Sequence, residues 1–164
     1  MENEMQIMNA LIDNFNNYAQ GLDSKDWPLV RACFADKVLI DYGPLSAPSG
    51  DPTVPREADD WMKYLQGVIN GFDITRHTIT NHRPTITDTT VSCSAYLVAD
   101  HVIFASPDLP LISPEEVVTV VGEYTNWYER GGEGWKICRS KLVINWNSGN
   151  AALLATAMER AAKG

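Results

Sequence analysis

The 164-residue chain is poor in positive charge, in cysteine and in histidine, and it has no long apolar run. Each shortage excludes something. Lys and Arg number 13 against 21 Asp and Glu, a formal net charge of −8. A nucleic-acid binder needs a concentrated positive footprint to displace counterions from phosphates, so nucleic acid is excluded as a partner. The same acidity disfavours docking on an anionic membrane surface. No stretch approaches the roughly 20 apolar residues that span a bilayer. The N-terminal MENEMQIMNALIDNF carries acids where a secretory segment carries Lys or Arg. Cys33, Cys93 and Cys138 stand far apart with no C-x-x-C, a usage that suits reduced thiols in a cytoplasmic setting. The common cofactor and nucleophile signatures are missing as well: no G-x-G-x-x-G after a strand, no P-loop, no G-x-S-x-G elbow. No metal and no cofactor are expected.

What is present is an ordinary globular composition, 45% apolar, with five Trp and six Tyr in a short acidic chain. At about 150 residues per domain, residues 1–164 read as a single domain large enough to bury its own core. Met5, Met8, Ile12, Phe15 and Ala19 recur at steps of three and four, the stripe of a helix over 5–20. The connector GLDSKD leads to a second helix over 27–34, with Asp26 as N-cap and Pro28 in the first turn. KVLIDY (37–42) reads as a strand, residues 43–55 as a proline-punctuated loop, and 57–71 as a third helix. Four long β-rich segments follow, over 74–86, 90–104, 116–130 and 134–146, the last two joined by the hairpin signal RGGEG. An Ala-rich helix closes the chain. Helices first and an antiparallel sheet after is an α+β plan, with one sheet curled around the helices.

The titratable residues are few enough to weigh singly. His77 and His82 are five apart on one strand, so a period of two sends them to opposite faces, and they share a metal only if the strand is bulged. His77 shares its face with Ile79, and His101 shares its face with Leu97 and Ala99; the ordinary reading of both is a satisfied core or rim histidine. Among the acids, Asp26 reads as a cap and Asp36 as a turn before the strand. Asp23 has no such local duty: it closes an Asx-turn in GLDSKD or partners a histidine. In the latter case the carboxylate fixes the imidazole tautomer and creates a general base.

DSKDW (23–27), the strand ending IDY (40–42), TRHT (75–78) and the hairpin NWYERGGEGWKI (126–137) together carry a resemblance that covers residues 5–150. The chain resembles the SnoaL-like members of the nuclear-transport-factor-2-like superfamily, and among them the scytalone dehydratases. The resemblance implies a cone-shaped α+β barrel, a curved, mostly antiparallel sheet around the N-terminal helices, enclosing one apolar pocket. By position it makes His77 the catalytic base and Asp23 its supporting carboxylate. It puts Tyr42 and His101 against the substrate. Leu22 stands where the second carbonyl-side tyrosine is expected, Tyr124 replaces a pocket asparagine, and Tyr18 replaces a pocket tryptophan. The acid–base pair is kept and the substrate readers are changed, which makes scytalone itself an unsuitable substrate.

The expected function is a cofactor-independent lyase of dehydratase type, acting on a cyclic or polyketide-like carbonyl compound by proton abstraction and elimination. The same superfamily also implies a polyketide cyclase or isomerase using the same base, and a non-catalytic pocket protein. A small molecule is the expected partner, and the resemblance implies a homodimer or homotrimer formed through the open sheet face. The 43–55 loop and the C-terminal helix are the natural lids.

Overall fold

The structure, a computed structural model, describes residues 2–43, 50–106 and 111–164. Helix α1 (Glu4–Ser24) starts at a capping box, in which Asn3 and Gln6 each bond the other's backbone N–H. It runs further than the apolar stripe predicts. Gly21 to Ser24, read as a connector, complete the last turn, and Lys25 ends it in the left-handed conformation at φ 56°. Asp23 therefore sits on a rigid helix rather than in a loop. Helix α2 (Trp27–Ala32) is capped by the Asp26 side chain, which accepts from the Leu29 N–H.

Strand β1 (Phe34–Asp41) begins three residues before the expected start. Phe34 pairs in parallel with Ile137 of β6, and after an irregular stretch the pairing resumes from Leu39 opposite Arg139 to Asp41 opposite Lys141, so the strand starts at Phe34. The expected turn at Asp36 is thus corrected: this residue is in the strand, and its carboxylate meets Arg31 at 2.8 Å. Of the 43–55 loop, residues 44–49 lie outside the described residues, so its expected lid role is not visible. The two-residue β2 (Arg56–Glu57) then pairs with β1, and helix α3 (Ala58–Ile69) follows.

β3 (Ile74–Ile86), β4 (Val91–Val102), β5 (Val117–Gly131) and β6 (Gly134–Gly149) are long antiparallel neighbours. A short 3₁₀ turn, Pro114–Glu116, leads into β5. The order is β2-β1-β6-β5-β4-β3, a single six-stranded curved sheet that does not close, with every pairing antiparallel except β1 with β6. Along β5 the even residues from Val118 to Tyr128 are buried, so this face, with Tyr124, looks inward. Leu11, Phe15, Tyr18 and Leu22 of α1 and Trp61 and Leu65 of α3 pack on it.

The register shifts between Thr80 and Arg83, where Asn81 takes φ 58°. One residue is thereby inserted, and the inward face passes from 75, 77 and 79 to 82, 84 and 86. The expectation that His77 and His82 face opposite ways is overturned: His77 meets α1 at Asp23, and the His82 ring meets Phe15 of the same helix edge to face at 5.4 Å. No group of three His, Cys, Asp or Glu side chains that could hold a metal ion occurs among the described residues.

Helix α4 (Leu153–Lys163) lies on α3 and β5. Gly71 makes its seat, because a Cβ there would run into the backbone carbonyl of Ala157. Arg160 secures the far end on Asp73 at 2.7 Å. Leu153 and Ala157 join Phe72 and Val118 in a satellite cluster apart from the main core. No helix among the described residues is long and apolar enough to cross a membrane.

Candidate active site

Between the inner sheet face and helices α1, α3 and α4 is a cavity of about 130 Å³. An apolar cavity of about 150 Å³ is enough to hold a benzene ring, so this one fits a compound of roughly one ring. Leu97, Ala99 and Val120 of the sheet, Leu65 and Ile69 of α3, and Leu154 and Met158 of α4 give it apolar walls. The C-terminal helix, expected as a lid, contributes Leu154 and Met158 to this lining.

The structure brings together six of the seven residues singled out in the sequence as cavity lining: Tyr18, Leu22, Tyr42, His77, His101 and Tyr124. The seventh, Asp23, lies behind His77 and faces an outer groove between α1 and β3, together with Gln20 and Arg76. His77 borders both spaces.

His77 Nδ1 is 2.7 Å from Asp23 Oδ1. The same carboxylate accepts the His77 backbone N–H at 2.9 Å and the Thr75 hydroxyl at 2.9 Å. Burial alone would raise the Asp23 pKa, but these donors outweigh it and hold the carboxyl below its ordinary value. An ionised carboxylate can only accept, so Nδ1 must carry the proton and Nε2 keeps its lone pair. That is the tautomer of a general base.

His101 differs. It is 7% exposed, and its ring meets the His77 ring edge to face at 5.3 Å. Burial, reinforced by the charge of His77, pushes its pKa down to about 4, so it is neutral at physiological pH. Its Nδ1 has no hydrogen-bond partner among the described residues.

The third polar element is a tyrosine cluster. Tyr18 and Tyr42 hydroxyls are 3.3 Å apart, Tyr42 is 3.1 Å from Ser140 Oγ, and Ser140 donates to Asn126 Oδ1 at 2.6 Å. The Tyr124 ring is flanked by Tyr42 at 5.6 Å, Tyr18 at 6.1 Å and Phe15 at 6.3 Å. Burial raises the pKa of Tyr18, Tyr42 and Tyr124 above the ordinary phenol value, so all three stay protonated and neutral. Sequence reasoning missed Trp61, Tyr64, Thr75, Asn126 and Ser140. Trp61 had a signal, since it shares its helical stripe with Leu65 and Val68; its ring stacks on Tyr64 at 5.2 Å and meets Tyr42 edge-on. Ser140 had none, because a bulge between Trp127 and Tyr128 shifts the phase of β6 just before it.

A sheet wrapped on α1 and α3, with a histidine–carboxylate pair in the wall of an apolar cavity, defines a class of small pocket protein. The chain belongs to the SnoaL-like domain family, whose model matches residues 3–141. Among solved structures, the Kfla4162 protein of Kribbella flavida is 27% identical with a TM-score of 0.76, over 93% of this chain and 99% of that one. A type 2 hexachlorocyclohexane dehydrochlorinase (LinA) is 16% identical with a TM-score of 0.67, over 87% of this chain and 88% of that one. A Novosphingobium aromaticivorans protein provisionally described as a scytalone dehydratase is 18% identical, with a TM-score of 0.66 over 87% of this chain and 91% of that one. No curated protein sequence matches the chain significantly.

Proposed function

We propose that the protein is a cofactor-independent lyase of dehydratase type, acting on a cyclic carbonyl compound of about one ring. The observation that carries this reading is the 2.7 Å contact between Asp23 and His77 at the wall of an apolar cavity. A pocket that only binds has no use for an imidazole locked in its basic tautomer. His77 Nε2 takes the proton α to the carbonyl, and the electron pair of that C–H bond enters the enolate. Collapse of the enolate forms the C=C bond and breaks the β C–O bond, and the imidazolium returns its proton to the departing hydroxyl as water. Asp23 holds Nδ1–H and stabilises the imidazolium. A phenol of the tyrosine cluster supplies a hydrogen bond to the developing oxyanion.

Two of the structural relatives are described as a dehydrochlorinase and, provisionally, as a dehydratase, both elimination enzymes in name. A cavity of about 130 Å³ favours the cyclic substrate over an extended polyketide. Cyclisation or isomerisation through the same base remains the second reading, since the same pair could start either. We extend the proposal to assembly as a homodimer or homotrimer: Tyr96, Val98, Val143 and Trp146 are exposed on β4 and β6.

The test is deuterium exchange at the α-carbon of a bound cyclic ketone such as cyclohexanone or 3-hydroxycyclohexanone, followed by NMR. Exchange in the wild type that falls by on the order of 10²–10⁴-fold in both His77→Ala and Asp23→Asn supports the reading. Exchange that persists in both variants overturns it. Loss of water from the hydroxyketone separates elimination from isomerisation and cyclisation.

A further inference from the structure

The tyrosine cluster contains three phenols, and its hydrogen bonds have a direction. Asn126 is 1% exposed, and its Oδ1 can only accept. Ser140 gives its one proton to that oxygen at 2.6 Å. The Ser140 oxygen must then accept from Tyr42 across 3.1 Å, which uses the single Tyr42 proton. Tyr42 is left with lone pairs only, and across 3.3 Å it accepts from Tyr18. The protons of Tyr18, Tyr42 and Ser140 thus run one way, toward Asn126 and away from the cavity.

We propose that Tyr124 is the residue that donates to the substrate oxyanion, and that Asn126 and Ser140 are positioning residues that turn the Tyr42 proton away from it. The proposal rests on the oxyanion chemistry of the preceding section and assigns its donor. Tyr124 is 4% exposed, lines the cavity with His77, and has its ring wedged among Phe15, Tyr18 and Tyr42. A donor whose ring cannot swing needs no reorganisation when charge develops on the substrate. Tyr42, which the family resemblance places at the substrate carbonyl, becomes an acceptor on this reading. The substrate class narrows accordingly: its oxyanion meets Tyr124, and a neighbouring hydroxyl on the ring can donate to Tyr42.

The probe is 4-nitrophenol, a single-ring enolate mimic whose yellow phenolate form is read directly by absorbance. The wild type is expected to bind it with the phenolate favoured over the phenol. Tyr124→Phe should weaken phenolate binding on the order of 10- to 100-fold, the value of a hydrogen bond to a charged group. Tyr42→Phe should change it by less than about threefold, since a residue without a free proton has little to lose. Ser140→Ala releases the Tyr42 proton and should leave phenolate binding unchanged or tighter; this arm stands even where Tyr124→Phe does not fold. The proposal is overturned when Tyr42→Phe or Ser140→Ala costs as much as Tyr124→Phe, or when the wild type does not take up the phenolate. Repeating the series in His77→Gln separates this question from the base: dependence on Tyr124 should persist there, whatever happens to proton exchange.

Discussion

The His77 and His101 rings stand edge to face at 5.3 Å, and the two imidazoles are prepared for different work. His77 has a carboxylate on Nδ1 at 2.7 Å, which fixes the tautomer of the ring. His101 is buried beside it with its pKa pushed down to about 4. One ring is equipped to take a proton. Its neighbour is kept neutral, and a neutral imidazole can accept or donate a hydrogen bond without adding a second positive charge to the cavity.

The first prediction concerns stability against acid. The folded pKa of His101, about 4, lies below the ordinary 6.5, so the unfolded chain binds a proton that the folded one refuses. The resulting stabilisation is complete above pH 6.5 and is lost as pH falls toward 4. At about 1.4 kcal/mol per pKa unit it amounts to roughly 3 kcal/mol. Urea denaturation at intervals across that window should show the decline. His101→Gln should flatten it while leaving the other acid-linked losses in place.

The second concerns the support behind the base. Thr75 is 2% exposed and gives its hydroxyl proton to Asp23. In Thr75→Val this donor is gone, and the Asp23 pKa should move up toward the ordinary carboxylate value. A carboxyl-carbon NMR titration reads the shift directly. The variant should also lose roughly 1–2 kcal/mol of stability near neutral pH, because a bond to a charged acceptor is removed. Asp23 contributes stability only above its folded pKa, so the difference from wild type should close as pH falls through that value.

The third concerns the roof of the cavity. Gly71→Ala sets a methyl group against the Ala157 carbonyl, and helix α4 must move to admit it. Overpacking of this kind costs about 1–3 kcal/mol. Limited proteolysis should then release the segment after Asn150 faster than in wild type. Arg160→Ala removes only the surface tie to Asp73, where both side chains are partly exposed, and should cost less than about 1 kcal/mol.

Much of this architecture was legible in the sequence because the elements keep their own periods. The strand over 74–86 was read to the residue, and the pocket face of β5 follows from parity once Tyr124 is placed inside. What escaped was decided by partners distant in the chain. The strand starts at Phe34 because Ile137 of β6 pairs with it, and nothing in the composition of Phe34 to Asp36 says so. Asp23 and His77 are 54 residues apart, and only a family resemblance joined them before the structure did. His82 was assigned the wrong face because a single left-handed asparagine, Asn81, resets the count of two. Ser140 was invisible for the same reason on β6.

That bulge at Asn81 acts on the outside of the molecule as well. β3 is 13 residues long and, among the described residues, has no strand on its far side, so it offers a row of unpaired backbone groups to any other strand. The inserted residue bends this edge, Pro84 withholds an N–H, and Arg76 brings positive charge to it. An intruding strand finds no regular ladder to extend. The kink that turns His82 inward therefore also guards the chain against fibrous, edge-to-edge growth.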